Sequence, residues 1–143
     1  MATVESTIVI AAPLQRVYTI ARDIERFPQF MDDVQSVEIF ERDGERVVSH
    51  WVGLIEEFNR TLKWTEVDYW NDEEYSCRFE MTEGDFTAYG GTWTFEEDEG
   101  GTVAKLTVDY EYAVPLIKKL LHRKVQQNCD NMLAAIKGEA EKG

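Results

Sequence analysis

Cysteine is nearly absent. The 143 residues hold two, Cys77 and Cys129, far apart and outside any CxxC pattern. That excludes a disulfide framework and a zinc knuckle, and it makes the cytoplasm the expected compartment. Histidine is as scarce, and His50 and His122 make neither a metal site nor a triad. No GxGxxG, GxxxxGK(S/T) or HExxH stretch occurs, so nucleotide and zinc-protease chemistry drop out. No run approaches the roughly 20 apolar residues that a bilayer span demands. The opening MATVESTIVIAAP has no basic leader, so a secretory signal is not expected. Positive charge is also short. Fifteen Lys and Arg stand against 28 Asp and Glu, for a net −13. Such a field repels phosphate backbones, and nucleic acid is not an expected partner.

What remains is the composition of a soluble globular chain, 43% hydrophobic and 30% charged. Its length suits one domain, residues 1–143, burying roughly 68–70% of the surface of the unfolded chain. Thr3 to Ala11 alternates and reads as a strand. Pro13 suits the first position of a helix through Val17 and Ala21, and a second short helical piece holds Phe27, Phe30 and Met31. From Val34 to Tyr112, strand-like runs are punctuated by Asp43-Gly44, Asn71-Asp72, Gly84-Asp85 and Gly100-Gly101. They predict an antiparallel meander with strands near Val34–Arg42, Glu45–Val52, Phe58–Tyr69, Tyr75–Thr82, Asp85–Glu96 and Thr102–Tyr112. After Pro115 the period changes to that of a helix, with Ile117, Leu121, Val125, Cys129, Met132 and Ile136 on one arc. The expected class is α+β, a long C-terminal helix packed on one face of an antiparallel sheet.

Splitting each strand into two faces puts an aromatic set inward. It reads Val47, Ser49, Trp51; Leu62, Trp64; Tyr75, Cys77, Phe79, Met81; Thr87, Tyr89, Gly91, Trp93, Phe95; and Leu106, Val108, Tyr110, Tyr112. A curved sheet has more concave surface than one helix fills, so these rings with polar tips can line a pocket as well as a core. The inward phase of one strand also carries Arg60, Glu66 and Asp68.

The stretches STIVIAAPLQRVYTIARDIERFPQFM, VQSVEIFER, GTWTF, LTVDYEY and VPLIKKLLHRKVQQNCDNMLAAIK together resemble the polyketide cyclase/dehydrase and coenzyme Q-binding branch of the START superfamily, over essentially the whole chain. The resemblance implies the helix-grip fold, a seven-stranded curved sheet gripping the last helix around a hydrophobic cavity. It also implies a lipid, quinone, plant-hormone or polyketide-like ligand and no cofactor. On that basis the expected wall is Phe30, Trp51, Leu62, Trp64, Cys77, Phe79, Met81, Tyr89, Trp93, Val108, Tyr110, Leu121, Val125 and Met132.

Aromatase/cyclase members are similar in using cavity arginine and tyrosine, yet an ungapped reading puts Asp68 and Val34 at those positions. Catalysis here would fall to Arg60, Glu66 and Asp68, which otherwise form an ion pair inside or at the rim. Some relatives resemble ribosome-associating modules, which makes a protein-interaction role the third expectation. Its surface would be the start of the last helix. Residues 115–143 hold six Lys and Arg against three acids. Leu116, Lys118, Lys119, Leu120, Arg123 and Lys124 would form a membrane- or partner-touching edge beside the cavity mouth.

Overall fold

Alternating side chains build seven strands, which the computed structural model, describing residues 1–55 and 59–142, joins into one sheet. β1 (Ala2–Ile10) is followed by α1 (Leu14–Arg22), a 3-10 turn (Ile24–Arg26) and α2 (Phe27–Phe30). The meander comprises β2 (Val34–Asp43), β3 (Arg46–Ile55), β4 (Arg60–Asn71), β5 (Ser76–Gly84), β6 (Ala88–Asp98) and β7 (Gly101–Glu111). A second 3-10 turn (Pro115–Ile117) leads into α3 (Lys118–Ala140). The order is β1-β7-β6-β5-β4-β3-β2, antiparallel throughout. This is the α+β, seven-stranded, helix-gripping arrangement expected.

The boundaries differ by a few residues, for local reasons. Pro13 is the N-cap of α1 and not its first helical residue. The expected start of the third meander strand, Phe58, lies outside the described residues. β6 begins at Ala88 because Asp85 to Thr87 form a bend. That bend resets the alternation: Thr87, expected inward, is exposed, and Phe86 turns in instead. β4 runs on to Asn71, so Trp70 continues the inward face and all four tryptophans are buried.

Curvature comes from register shifts at Val34/Ser36 and Ile39/Glu41 in the β2–β3 pair and at Thr65/Glu66 in the β4–β5 pair. Gly91 matters at the bend of β6. A Cβ there would stand 1.9 Å from the Thr107 carbonyl oxygen and 2.9 Å from the Phe79 ring, so glycine lets that ring lie flat on β6.

The buried arc of α3 is Leu121, Val125, Cys129, Leu133, Ile136 and Ala140. Leu133, which the expected arc omits, is fully buried, while Met132 is only partly buried beside it. The helix packs on β1, α1 and β7. Its far half is pinned there by Arg16 Nε donating to the Ala140 carbonyl (2.7 Å), Lys137 Nζ donating to the Val9 carbonyl (3.1 Å) and Ala11 N–H donating to Glu141 (2.8 Å). Anchoring the helix over the β1 edge leaves the hollow of β3 to β6 to be filled by side chains alone.

Candidate functional site

Large rings fill most of that hollow. Trp51 of β3 and Trp64 of β4 face each other in register and stack with centroids 5.9 Å apart and planes 9° from parallel. Tyr89 leans on Trp64 at 5.1 Å and on Phe86 at 4.8 Å, and Phe27 meets Trp51 edge-on at 5.8 Å. Offset and edge-on contacts leave gaps that aliphatic packing would close. The result is a cavity of about 70 Å³ under α3. A water molecule takes roughly 30 Å³ of liquid, so this is room for two or so, against roughly 300–1,000 Å³ in sites for drug-sized ligands. A larger guest must displace a lining side chain.

Of the residues expected to form the wall, Trp51, Leu62, Trp64, Phe79, Tyr89, Trp93, Val125 and Met132 line the cavity. The other six do not. Cys77 and Val108 are buried in the packed core away from the space. Met81 sits partly buried opposite Glu66, and Phe30 packs on Phe27. Tyr110 and Leu121 line a separate depression with Tyr112 and Lys118, and the Tyr110 hydroxyl lies 3.0 Å from His122 Nδ1. Ile24, Asp33, Val34, Gly53, Ile55, Phe86, Leu106, Asn128 and Cys129 also line it without having been expected in the wall. Asn128 was within reach of sequence reasoning, standing one turn before Met132. Asp33 carries no periodic signal.

Asp33 and Asn128 meet at one side of the cavity. Asp33 Oδ2 accepts from Asn131 Nδ2 at 2.9 Å and, with the Asn128 amide turned to donate, from Asn128 at 3.2 Å. This carboxylate ties the segment before β2 to α3.

The cavity floor holds two acids. Glu66 and Asp68 are 4% and 2% exposed, and both line the space. The two carboxyl groups are neighbours on the inward face of β4, and Trp64 Nε1 donates to Glu66 Oε1 at 2.7 Å. Burial pushes the Glu66 carboxyl well above the usual range, reinforced by the charge of Asp68, and burial raises Asp68 as well. Arg60, grouped with them on alternation, is exposed at the opposite end of β4 and gives neither carboxyl a countercharge. The expected Arg60 ion pair therefore fails, because Arg60 is the first residue of β4, paired with Ile55 at the end of the strand, where its side chain reaches solvent.

Ser49 is fully buried and its hydroxyl accepts from Trp51 Nε1 at 2.9 Å. Both cysteines are buried, and burial lifts the Cys129 thiol to about 12 and Cys77 higher still, so neither is an activated thiolate. His50 is half-buried, stacked on Phe40 and 3.1 Å from Thr65 Oγ1. Among the described residues, no group of three or more His, Cys, Asp or Glu could hold a metal ion. At the start of α3, Leu116 is 96% exposed, Leu120 is half-buried, and Lys118, Lys119 and Arg123 are exposed. Lys124 Nζ donates to Gln127 at 3.1 Å. None of these six residues lines the cavity.

Known proteins share this arrangement. A Thermus thermophilus protein is 34% identical over 97% of both chains, with a TM-score of 0.92. The Zhui aromatase/cyclase of Streptomyces sp. R1128 superposes with a TM-score of 0.91 at 20% identity, covering 99% of this chain and 94% of that one. A START superfamily protein of Mycobacterium smegmatis follows at 0.84 and 17% identity, over 98% and 97%. The family profile described as polyketide cyclase/dehydrase and lipid transport matches residues 10–137. The chain belongs to that family, on a START-type helix-grip fold.

Proposed function

We propose that this protein binds a hydrophobic small molecule, a lipid, quinone or aromatic polyketide-like compound, in the space between β3–β6 and α3. The observation that carries the reading is a cavity lined mostly by rings and aliphatic groups, set between the hollow of the sheet and α3. At about 70 Å³ it admits a larger guest only if lining side chains move. Met132, a flexible thioether, and Phe86, on a bend and not in a ladder, are the lining groups freest to move aside. Titration of tryptophan fluorescence with apolar ligands tests the reading. Trp64→Ala is expected to lower affinity about tenfold or more, by removing a ring that spans the wall. Unchanged affinity would put the ligand elsewhere.

The buried acids favour one second reading, in which the protein acts on a carbonyl compound as a cyclase or dehydrase. A neutral Glu66 can donate to a carbonyl oxygen and Asp68 can accept a proton, since both acids line the cavity. Turnover of a poly-β-ketone that disappears in Glu66→Gln would support it; full activity in that variant would end it.

Exchange of an apolar guest calls for a surface that a membrane or protein can touch. We place it at exposed Leu116 with Lys118, Lys119, Leu120, Arg123 and Lys124, in a reducing, cytoplasmic compartment that suits two free thiols. Charge reversal at Lys118, Lys119 and Arg123 should then abolish cosedimentation with anionic vesicles. Persistence of cosedimentation would move the contact.

A further inference from the structure

We propose that the Glu66–Asp68 pair is a recognition site for an N–H-bearing ammonium group carried on an apolar body, so that the ligand is an amphiphilic amine. The proposal rests on the reading of the cavity as a ligand site and specifies its occupant. Four carboxyl oxygens share the floor, and among the described residues the donor bonded to them is Trp64 Nε1, to Glu66 Oε1. Asp68 Oδ1 receives no hydrogen bond from any other described group, although Asp68 is 2% exposed and lines the cavity. A buried acceptor left this way lacks the partner that its desolvation requires.

The fold keeps that acceptor free of an internal donor. On this face of the sheet an indole N–H twice bonds the polar group two residues along its strand, Trp51 to Ser49 and Trp64 to Glu66. The third such pair would be Trp70 to Asp68, and it is not made, since Trp70 Nε1 is likewise without a partner among the described groups. The Trp70 ring is instead held by edge contact with Tyr18 at 5.8 Å.

The surroundings decide the sign of the missing charge. The groups facing the pair are Ser49 from β3, Cys77 from β5, Tyr89 from β6 and Cys129 from α3. Among the described lining residues there is no Lys, Arg or His. Arg22, whose charge reaches Cys77, is engaged with Asp72 and lies over Trp70. Any charge on the pair is negative, and the rings of Trp51, Trp64 and Tyr89 line the same space. Ring faces and a carboxylate both attract cations, and both repel anions. A neutral ligand would leave that charge buried and uncompensated, whereas an ammonium supplies the hydrogen bond and the charge together.

Three probes of one size separate the outcomes: benzylamine, benzyl alcohol and benzoate, titrated calorimetrically into the wild-type protein and into Glu66→Gln/Asp68→Asn. The wild type is expected to bind benzylamine at least about tenfold tighter than benzyl alcohol and to bind benzoate least, and the double variant to lose that preference while keeping the alcohol. Benzylamine should bind as the ammonium without net proton exchange, read as a heat that does not depend on buffer ionisation. Equal binding of amine and alcohol, or a preference that survives in the double variant, overturns the proposal and leaves the cavity reading standing. Failure of all three probes to bind overturns both.

Discussion

At the scale of the residue, the inner face of the sheet joins indoles to short polar groups, and those bonds can be tested singly. Ser49→Ala removes the acceptor of Trp51 Nε1 in a fully buried place. Leaving that N–H unpaired is expected to cost about 1–3 kcal/mol in urea denaturation, and adding Trp51→Phe should cost less than two independent losses would. An additive double variant would show that the bond contributes nothing. The acids give a pH signature. Burial raises Glu66 and Asp68 above the ordinary values of 4.5 and 3.8 that they regain on unfolding. The folded state therefore holds more protons, so the wild type's stability from this pair is complete below those values and falls as pH rises through the folded ones. Each unit of raised pKa costs about 1.4 kcal/mol once fully deprotonated. Asp72 and Glu141, lowered by hydrogen bonds from Tyr18 and Lys137 respectively, act in the opposite direction, losing stability in acid. Comparing Glu66→Gln/Asp68→Asn with wild type cancels them. The variant should be the more stable at pH 8, by a margin that shrinks towards zero below pH 4. A margin independent of pH would contradict the raised carboxyls.

At the scale of the element, α3 is fixed at its far half and bridged over the cavity by a single carboxylate. Asp33 accepts from both Asn131 and Asn128, joining the segment before β2 to the helix. Hydrogen bonds of this kind are each worth about 0.5–1.5 kcal/mol, so their loss in Asp33→Ala should speed both entry and exit of a ligand by about tenfold, with affinity little changed. Stopped-flow fluorescence reads the two rates; unchanged rates would mean that the cavity opens elsewhere. Element order and the long amphipathic helix were legible in the sequence because alternation and turn residues are local signals. The wall was legible wherever a strand ran unbroken, as at Trp51, Trp64, Phe79 and Trp93. It was misread at Thr87, where a bend resets the phase, and at Arg60, whose side of β4 is inward by alternation but exposed by position. Asp33 and Ile24 reach the cavity from connections, where no period marks them, and Tyr110 shares the inward phase yet answers to His122 across a depression.

At the scale of the whole molecule, acid and apolar character are segregated. The chain carries a formal net −13, six of its 15 Lys and Arg fall in residues 115–143, and Glu66 and Asp68, the buried carboxyls among the described residues, both face the cavity. A fold stabilised only for its own sake gains nothing from a charged pair facing a void, and replacing such groups by apolar ones is commonly neutral or stabilising. Family membership sets the expectation of an apolar guest, and the acids on the cavity floor give this member a polar point to hold it by. Native mass spectrometry of freshly purified protein, followed by organic extraction, tests that claim most directly. The account predicts a fraction of the protein carrying a small apolar adduct that is released on denaturation and is lost in Trp64→Ala. Bare protein that also gains no mass when mixed with excess apolar ligands would contradict it.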